Sequence, residues 1–313
     1  MVKYLLKRLG LMVITLLVVI TATFFLMNSM PGNPVTSQAK KLPPSVAQNM
    51  EIKYGLDKPL GERYIVYLKN LLKGDLGDSF LTPGVSVNDK IKENFPSSFR
   101  IGIQAVIVGL IIGVLLGIIS GFKRGSFRDY IVMFLAILGV SVPSFVLATI
   151  LQGVGGGGFL PIAGWYDPGT PFIETIKFTI IPTVALCFAG IATYARYMRA
   201  SVLDIIGQDY ILTAKAKGLS ASAISIKHIL RNAILPIITI LGPQIATIIT
   251  GTVVIERIFA IPGIGNSLVD AIYGKDYNVI MGLTLFFAAL YILSILIVDI
   301  LYSVIDPRIK LES

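Results

Sequence analysis

The hydropathy of this chain restricts its possible folds more than any single motif does. Six stretches are apolar and about 20 residues long, the length that crosses a bilayer at about 1.5 Å of rise per residue. These stretches are Leu9 to Met30, Ile101 to Ser120, Tyr130 to Gln152, Phe178 to Ala195, Ala233 to Ile255 and Ile280 to Ile300. The chain has 54% hydrophobic and only 14% charged residues, against about 25% charged in soluble domains. The sequence therefore predicts an all-α integral membrane protein with six transmembrane helices.

Basic residues in the short loops predict how these helices are oriented. Lys and Arg cluster before the first span, between the second and third, between the fourth and fifth, and after the sixth. Because short loops rich in Lys and Arg stay in the cytosol, we expect both termini there. The segment 31–100 holds ten basic and seven acidic residues. It exceeds the loop length to which this rule applies, and we expect it outside the cell.

The chain accordingly divides into five parts along its length. We expect a cytosolic N-terminus with span one, an extracellular helical subdomain, spans two to four, a cytosolic segment, and spans five and six with a cytosolic C-terminus. Their bounds are 1–30, 31–100, 101–195, 196–232 and 233–313.

The extracellular part has an irregular start and a helical continuation. Pro31 to Pro44 is rich in Pro, Gly and Asn, which predicts irregular chain. From Ser45 to Leu72 the apolar residues recur at helical spacing, with an interruption from Gly55 to Gly61. We therefore expect short helices that lie over the membrane face. Their apolar positions are Val46, Met50, Tyr54, Tyr64, Tyr67, Leu68 and Leu71.

The segment between spans four and five is charged, helix-forming and interrupted by one glycine. Gln208 to Lys217 contains strong helix formers and has two lysines near its end, where cations favour the helix dipole. Gly218 fits the left-handed residue that closes a helix, and Ser220 or Ser222 can cap a second helix. The pattern predicts a helix, a glycine turn and a helix on the cytosolic face, with an amphipathic loop on the lipid surface as the alternative. The apolar residues directed toward span five are Ile224, Ile226, Ile229 and Leu230.

Residues for catalysis or cofactor binding are scarce in this sequence. No G-x-x-x-x-G-K-[ST] phosphate-binding loop occurs, His228 is the only histidine, and Cys187 is the only cysteine. We therefore expect no catalytic residue, no cofactor, no metal site and no ATP hydrolysis by the chain itself. A membrane-embedded hydrolase needs a nucleophile beside a base, and a secondary transporter needs ionisable groups at membrane depth. The sequence indicates neither arrangement, which disfavours both classes of protein. The basic residues lack aromatic interleaving, which disfavours nucleic-acid binding.

Two short motifs carry a resemblance to a known protein family. A-x-x-x-G at Ala214 to Gly218, followed by I-L-P at Ile234 to Pro236, is similar to the "EAA" coupling loop of ABC importer permeases. Leu212 stands at the leading acidic position of that loop and Thr213 at its next small position, and the gap from glycine to proline is longer than in the general pattern. The run YILTAKAKGL resembles the peptide-transporting branch, whose form is near Y-x-R-T-A-R-A-K-G-L.

Other segments resemble the same branch along nearly the whole chain, and their order and spacing together are highly specific. They are FLMNSMPGNP at 25–34, YGLDKPLGERYIVYL at 54–68, GDLGDSF at 74–80, SVPSF at 141–145, LPIAGW at 160–165, VIERIFAIPGIG at 254–265, KDYNVIMG at 275–282 and DILYSVIDPRI at 299–309. The chain is identified as a member of the oligopeptide, dipeptide and nickel-type ABC importer permeases, most similar to the first oligopeptide permease subunit. One departure is the run GVGGGG at 153–158, where the family continues apolar and is about two residues longer.

This resemblance implies a fold, a function and a set of partners. It implies a type I ABC importer fold in a bacterial cytoplasmic membrane and half of a pathway for oligopeptides or dipeptides, with nickel or another small solute as the alternative. The implied partners are a second homologous permease, two cytosolic ABC ATPases and an extracellular peptide-binding lipoprotein. The outer helices from Tyr54 to Leu68 either contact that lipoprotein or cover the ends of the spans. The residues implied in coupling to the ATPases are Asp209, Tyr210, Thr213, Ala214, Lys217, Gly218 and Leu219.

Overall fold

The structure is a computed structural model that describes residues 2–30, 52, 55–82 and 84–305. Within these residues the chain is almost entirely helical, which confirms the all-α prediction. The elements are α1 (Val2–Ser29), α2 (Leu60–Leu72), α3 (Val87–Phe122), α4 (Phe127–Ser141), α5 (Ser144–Gly155), α6 (Phe172–Ile206), α7 (Asp209–Ala216), α8 (Ala221–Ala223), a π-helix (Ile224–Leu230), α9 (Arg231–Ala233), α10 (Leu235–Gly251), α11 (Val253–Ile258), α12 (Ile264–Gly274) and α13 (Tyr277–Ile305).

Five helical stretches in the described part of the chain are long and apolar enough to cross a membrane, or six if α4 and α5 count as one bent span. Each of the five overlaps a predicted span. The five stretches are Lys7–Ser29, Val87–Phe122, Phe172–Ile206, Ala221–Ile245 and Tyr277–Ile300.

The predicted third span, Tyr130 to Gln152, is not one continuous helix. Instead α4 and α5 meet at an angle of 106°. The break lies at Val142, which has extended backbone angles of φ −88° and ψ 118°, immediately before Pro143. Proline lacks an amide hydrogen and disfavours helical backbone in the residue before it. The predicted third span therefore corresponds to a bent pair of helices, and hydropathy alone does not register the proline that bends it.

The described residues form two compact units. Of these residues, the first unit contains those up to Pro96 together with Pro262–Ile292, and the second contains Ser97–Ile261 together with 293–305. Because the boundaries fall inside α3 and α13, both of these helices contribute residues to each unit.

In the second unit, α3 packs against α6 through a stripe of glycines. Four glycines of α3 are spaced four residues apart and therefore share one helix face. They are Gly109, Gly113, Gly117 and Gly121. A Cβ atom on Gly113 would lie 2.8 Å from the backbone oxygen of Ile191, and one on Gly117 would lie 2.6 Å from that of Ala195. The two backbones therefore approach more closely than side chains at these positions would permit.

An ion pair ties the start of α4 to α6 in the same unit. The buried carboxylate of Asp129 accepts hydrogen bonds from Arg199, at 2.7 Å from Nε and 2.9 Å from Nη2. The hydroxyl of Ser120 and the amide of Gly125 also donate to this carboxylate, the amide at 2.9 Å. Since a bidentate guanidinium and two further donors satisfy the buried charge, this pair fixes the turn between α3 and α4 against α6.

In the first unit, α2 packs on α1, and its helical conformation agrees with the helical spacing of the sequence. The hydroxyls of Thr21 and Tyr64 lie 2.6 Å apart, and the rings of Phe24 and Tyr67 stack with centroids 5.5 Å apart. The positions predicted to be apolar on α2 are all half-buried. The remaining predicted positions, Val46, Met50 and Tyr54, and the irregular segment Pro31 to Pro44 lie outside the described residues.

A buried carboxylate joins the turn before α13 to the loop before α3, also within the first unit. Asp276 accepts hydrogen bonds from the Ser79 hydroxyl at 2.5 Å and from the amides of Phe80 and Leu81, each at 3.1 Å. Because three donors satisfy this buried charge, the carboxylate holds the two segments together. These bonds connect residues almost 200 positions apart, a pairing that no local sequence pattern indicates.

Replacing Gly113 with alanine should destabilise the protein, because the new Cβ would lie 2.7 Å from the Cβ of Tyr194 and 2.8 Å from a backbone oxygen. Overpacking of this kind costs about 1–3 kcal/mol. Gly10→Ala is the control, since nothing lies within 4 Å of its Cβ position. Thermal unfolding of the purified variants should show a lower midpoint for Gly113→Ala only, and equal midpoints would contradict the close packing of α3 on α6.

Candidate functional site

A helical hairpin formed by residues 208–233 connects α6 to α10. Its first helix, α7, begins after Gln208, whose backbone is extended at φ −80° and ψ 145°. Asp209 lies in the first turn of α7 and Lys215 in its last turn. Both charges are therefore at the ends of the helix dipole that favour them. The predicted helix from Gln208 to Lys217 is confirmed. Gln208 caps the start of α7 and Lys217 caps its end.

Gly218 closes α7 in the left-handed conformation that the sequence predicted, with a φ of +71°. Its amide donates to the carbonyl of Lys215 at 2.9 Å, and the amide of Leu219 donates to that of Ala214 at 3.3 Å. These two bonds are the pair that defines a Schellman motif. A Cβ atom added to Gly218 would meet nothing within 4 Å, so the tip of the hairpin points into open space.

The returning half of the hairpin begins at a predicted cap and continues in an unexpected helix type. The Ser220 hydroxyl accepts a hydrogen bond from the amide three residues later, at 3.3 Å. Ile224–Leu230 then form a π-helix, whose bonds join residues five apart and which buries Ile224 and Ile229. Ile226 is 62% exposed. The prediction that Ile226 faces span five was wrong because it assumed α-helical spacing through this stretch.

One face of the hairpin is buried. Ile211 and Ala214, one helical turn apart, are 0% and 5% exposed, and they pack in a hydrophobic cluster with Ile224 and Ile229. Ala214 is therefore an internal anchor of the hairpin and does not lie on its exposed face. The other buried members of this cluster come from α6, α9 and α10 and are Tyr194, Met198, Val202, Ala233 and Ile237.

The opposite face of the hairpin is exposed and partly apolar. Tyr210, Leu212 and Leu219 are 43%, 58% and 43% exposed. Apolar side chains grouped in this way beside polar ones are typical of protein–protein contact sites. Of the seven residues implied in coupling, all except Ala214 are exposed here: Asp209, Tyr210, Thr213, Lys217, Gly218 and Leu219.

Two residues that hold the hairpin in place were missed from the sequence. Ile211 is the most buried residue of α7. The sequence signal for it was its position three residues before Ala214, which puts both residues on the same face of a helix. The amide nitrogen of Asn232 donates to the Tyr210 hydroxyl at 3.3 Å and so joins the two halves of the hairpin. No sequence pattern indicates this contact, because it depends on how the second half returns.

The chemistry of the exposed face is suited to binding a protein surface. The hairpin also carries four exposed basic side chains, those of Lys215, Lys217, Lys227 and Arg231. A surface of this kind complements an apolar groove with an acidic rim. Within the ranges that the structure describes, no group of three His, Cys, Asp or Glu residues is placed to hold a metal ion.

Two family models match the chain in series. Residues 113–311 match the binding-protein-dependent transport system inner membrane component, and residues 1–101 match the N-terminal part of a binding-protein-dependent transport system membrane component. The chain belongs to this family. It is therefore a multi-pass membrane permease subunit of an ABC importer.

Curated relatives match the chain over its full length. It is 44% identical over 314 residues to the dipeptide transport system permease protein DppB of Bacillus subtilis (strain 168), covering 100% of this chain and 99% of that one. It is 43% identical to the oligopeptide transport system permease protein OppB of Haemophilus influenzae and 41% identical to OppB of Escherichia coli (strain K12), in both cases over 310 residues, 99% of this chain and 100% of the relative.

A solved structure shares the fold of this chain. It is a crystal structure of an amino acid ABC transporter with histidines, with a TM-score of 0.51 and 14% sequence identity, covering 71% of this chain and 95% of that chain. The similarity supports the type I ABC importer permease fold that the sequence predicted.

Replacing Ala214 with leucine should loosen the hairpin, because Ala214 is buried in the cluster that joins α7 to α6. A side chain enlarged at a packed position costs about 1–3 kcal/mol. Ala216→Leu is the matched control on the exposed side of the same helix, where such changes stay within about 0.5 kcal/mol. Thermal unfolding with limited proteolysis should detect the loss for Ala214→Leu alone. Equal behaviour of the two variants would contradict the assignment of the buried face.

Proposed function

We propose that the chain forms half of the translocation pathway of an ATP-driven importer for dipeptides or oligopeptides. The observation that carries this proposal is similarity over the whole chain, at 41–44% identity, to relatives named dipeptide and oligopeptide permeases. Their names favour a peptide over nickel or another small solute. ATP hydrolysis belongs to partner subunits, since the sequence has no phosphate-binding loop of its own.

The same family membership supports a proposal for the membrane, the orientation and the partner subunits of the chain. We propose that it lies in a bacterial cytoplasmic membrane with both termini in the cytosol and with the five-part division predicted from the sequence. The partners would be a second homologous permease, two cytosolic ATPases and an extracellular peptide-binding lipoprotein. The basic loops support this orientation, and the thiol labelling described in the next subsection tests it.

The exposed face of the hairpin is the proposed contact with an ATPase subunit. Leu219 beside the tip and Leu212 in the middle of α7 offer exposed apolar surface, and Lys217 offers charge. The buried face connects this contact to the membrane helices, because Ile211 and Ala214 pack against α6 and α10. When ATP closes the ATPase pair, a displacement of the exposed face would therefore move these helices and favour one opening of the pathway over the other.

Peptide uptake should depend on the side chain at Gly218. In liposomes that hold the chain with its partner subunits, ATP should drive accumulation of labelled tri-alanine. Left-handed backbone costs a non-glycine residue about 1–2 kcal/mol, so Gly218→Ala should be mild. Gly218→Val should uncouple ATP hydrolysis from uptake, because its branched side chain would meet the docked ATPase.

Gly169→Val is the matched control for this experiment. Gly169 also has a positive φ, +93°, and nothing within 4 Å of its Cβ position, but it lies in the loop before α6. This variant should keep parental uptake. Parental uptake by Gly218→Val would remove the hairpin from the coupling mechanism, and ATP-driven uptake of nickel in place of tri-alanine would overturn the peptide assignment.

A further inference from the structure

The first unit contains a polar cavity that the coupling mechanism does not use. Its volume is about 370 Å³, which falls in the range of about 300–1,000 Å³ common for small-molecule sites. It lies where the end of α1, helix α2, the loop before α3 and the start of α13 meet. By the predicted orientation this is the extracellular side of the membrane. This volume is large enough for a short peptide.

Arg63 gives the cavity a partly buried cation. Its half-buried guanidinium donates to the side-chain oxygen of Asn28 at 2.5 Å. Within the part of the chain that the structure describes, it pairs with no carboxylate. Burial alone lowers the pKa of Arg63 from its ordinary value. A guanidinium keeps its charge in proteins, so this partly desolvated group has unused donors for a carboxylate.

Other lining residues supply the remaining groups that a peptide needs. Asp75 and Asp78 line the cavity as well and provide negative charge for an ammonium group. The side-chain amide of Asn278 also lines the cavity and can bond to a peptide backbone. The hydroxyl of Tyr67 is a further donor, and burial raises the pKa of Tyr67 to about 12, further above neutral pH. Both charge signs and neutral hydrogen-bonding groups therefore lie within one cavity.

We propose that this cavity binds a short zwitterionic peptide with its terminal carboxylate on the guanidinium of Arg63. The proposal rests on the proposed peptide-import function and adds to it a peptide contact on the permease itself. A phospholipid fits the cavity less well, since acyl chains require apolar walls and half of the lining residues have polar side chains. The site would hold cargo between its release by the binding protein and its entry into the pathway.

Protection of a cysteine in the cavity wall tests this proposal. Asn70→Cys is introduced in a Cys187→Ala background, and the chain is assembled in nanodiscs with its partner permease and ATPases but without the binding protein. Tri-alanine should slow thiol labelling at position 70. Lys69→Cys, exposed on the same helix and absent from the cavity wall, should be labelled at the same rate with and without peptide.

The guanidinium assignment predicts how the protection responds to charge. Tri-alanine amide, which lacks the carboxylate, should protect poorly. Arg63→Gln should raise the tri-alanine concentration that gives half protection by about tenfold or more, since hydrogen bonds to charged groups contribute about 1.5–3 kcal/mol. Full protection in Arg63→Gln, or equal protection by inorganic phosphate, would overturn the peptide carboxylate as the ligand. Absence of protection in the Asn70→Cys variant that keeps Arg63 would overturn the cavity as a site.

Two further results distinguish the cavity proposal from the proposed import function. If the reconstituted transporter imports tri-alanine but the peptide leaves position 70 unprotected, the cavity proposal fails while the import function stands. If the peptide protects position 70 but is not imported, the proposed import function fails while the cavity stands. Labelling of Lys69→Cys by an impermeant reagent in intact cells should confirm the extracellular side, and labelling only in inverted vesicles would overturn it.

Discussion

The direct contact between the backbones of α3 and α6 is the constraint on which the second unit depends. It exists because glycines recur every four residues along α3, so that atoms such as the carbonyl oxygen of Ile191 occupy the space of absent side chains. The same helix α6 receives α4 at Gly139, where a Cβ would lie 2.7 Å from that of Ala192. Its Arg199 also binds the buried Asp129 of α4. Helix α6 thus packs directly against both α3 and α4. These contacts restrict its movement and that of any segment that packs on its C-terminal end.

The helical hairpin packs on the C-terminal end of α6. Ile211 and Ala214 lie in one cluster with Met198 and Val202 of α6 and with Ile237 of α10. A force applied to the exposed side of the hairpin would therefore reach two membrane helices through packed side chains. Interiors packed in this way transmit displacement because they have little free volume. The division of the hairpin into a buried anchor and an exposed face is the physical basis of the coupling that we propose.

Sequence patterns predicted those parts of the molecule that local chemistry determines. Gly218 ends α7 and Ser220 caps the next turn, as expected, since each depends only on the residues beside it. Pro143 was a sequence signal for the bend between α4 and α5, but an assignment based on hydropathy alone does not register it. The π-helix that exposes Ile226 has no local signature. The contact of Asp276 with Ser79 joins distant parts of the chain and requires the folded structure. For the same reason the sequence placed Ala214 among the coupling residues but did not show that it is buried.

Hydrogen–deuterium exchange on the assembled transporter tests the central claim most directly. The exchange of backbone amides in the hairpin would be compared with and without the two ATPase subunits, while α2 serves as an internal reference. If the exposed face is the docking surface, amides from Lys217 to Ser222 should exchange more slowly when the ATPases are present, and those of α2 should not change. Equal exchange across the hairpin in both preparations would contradict the account.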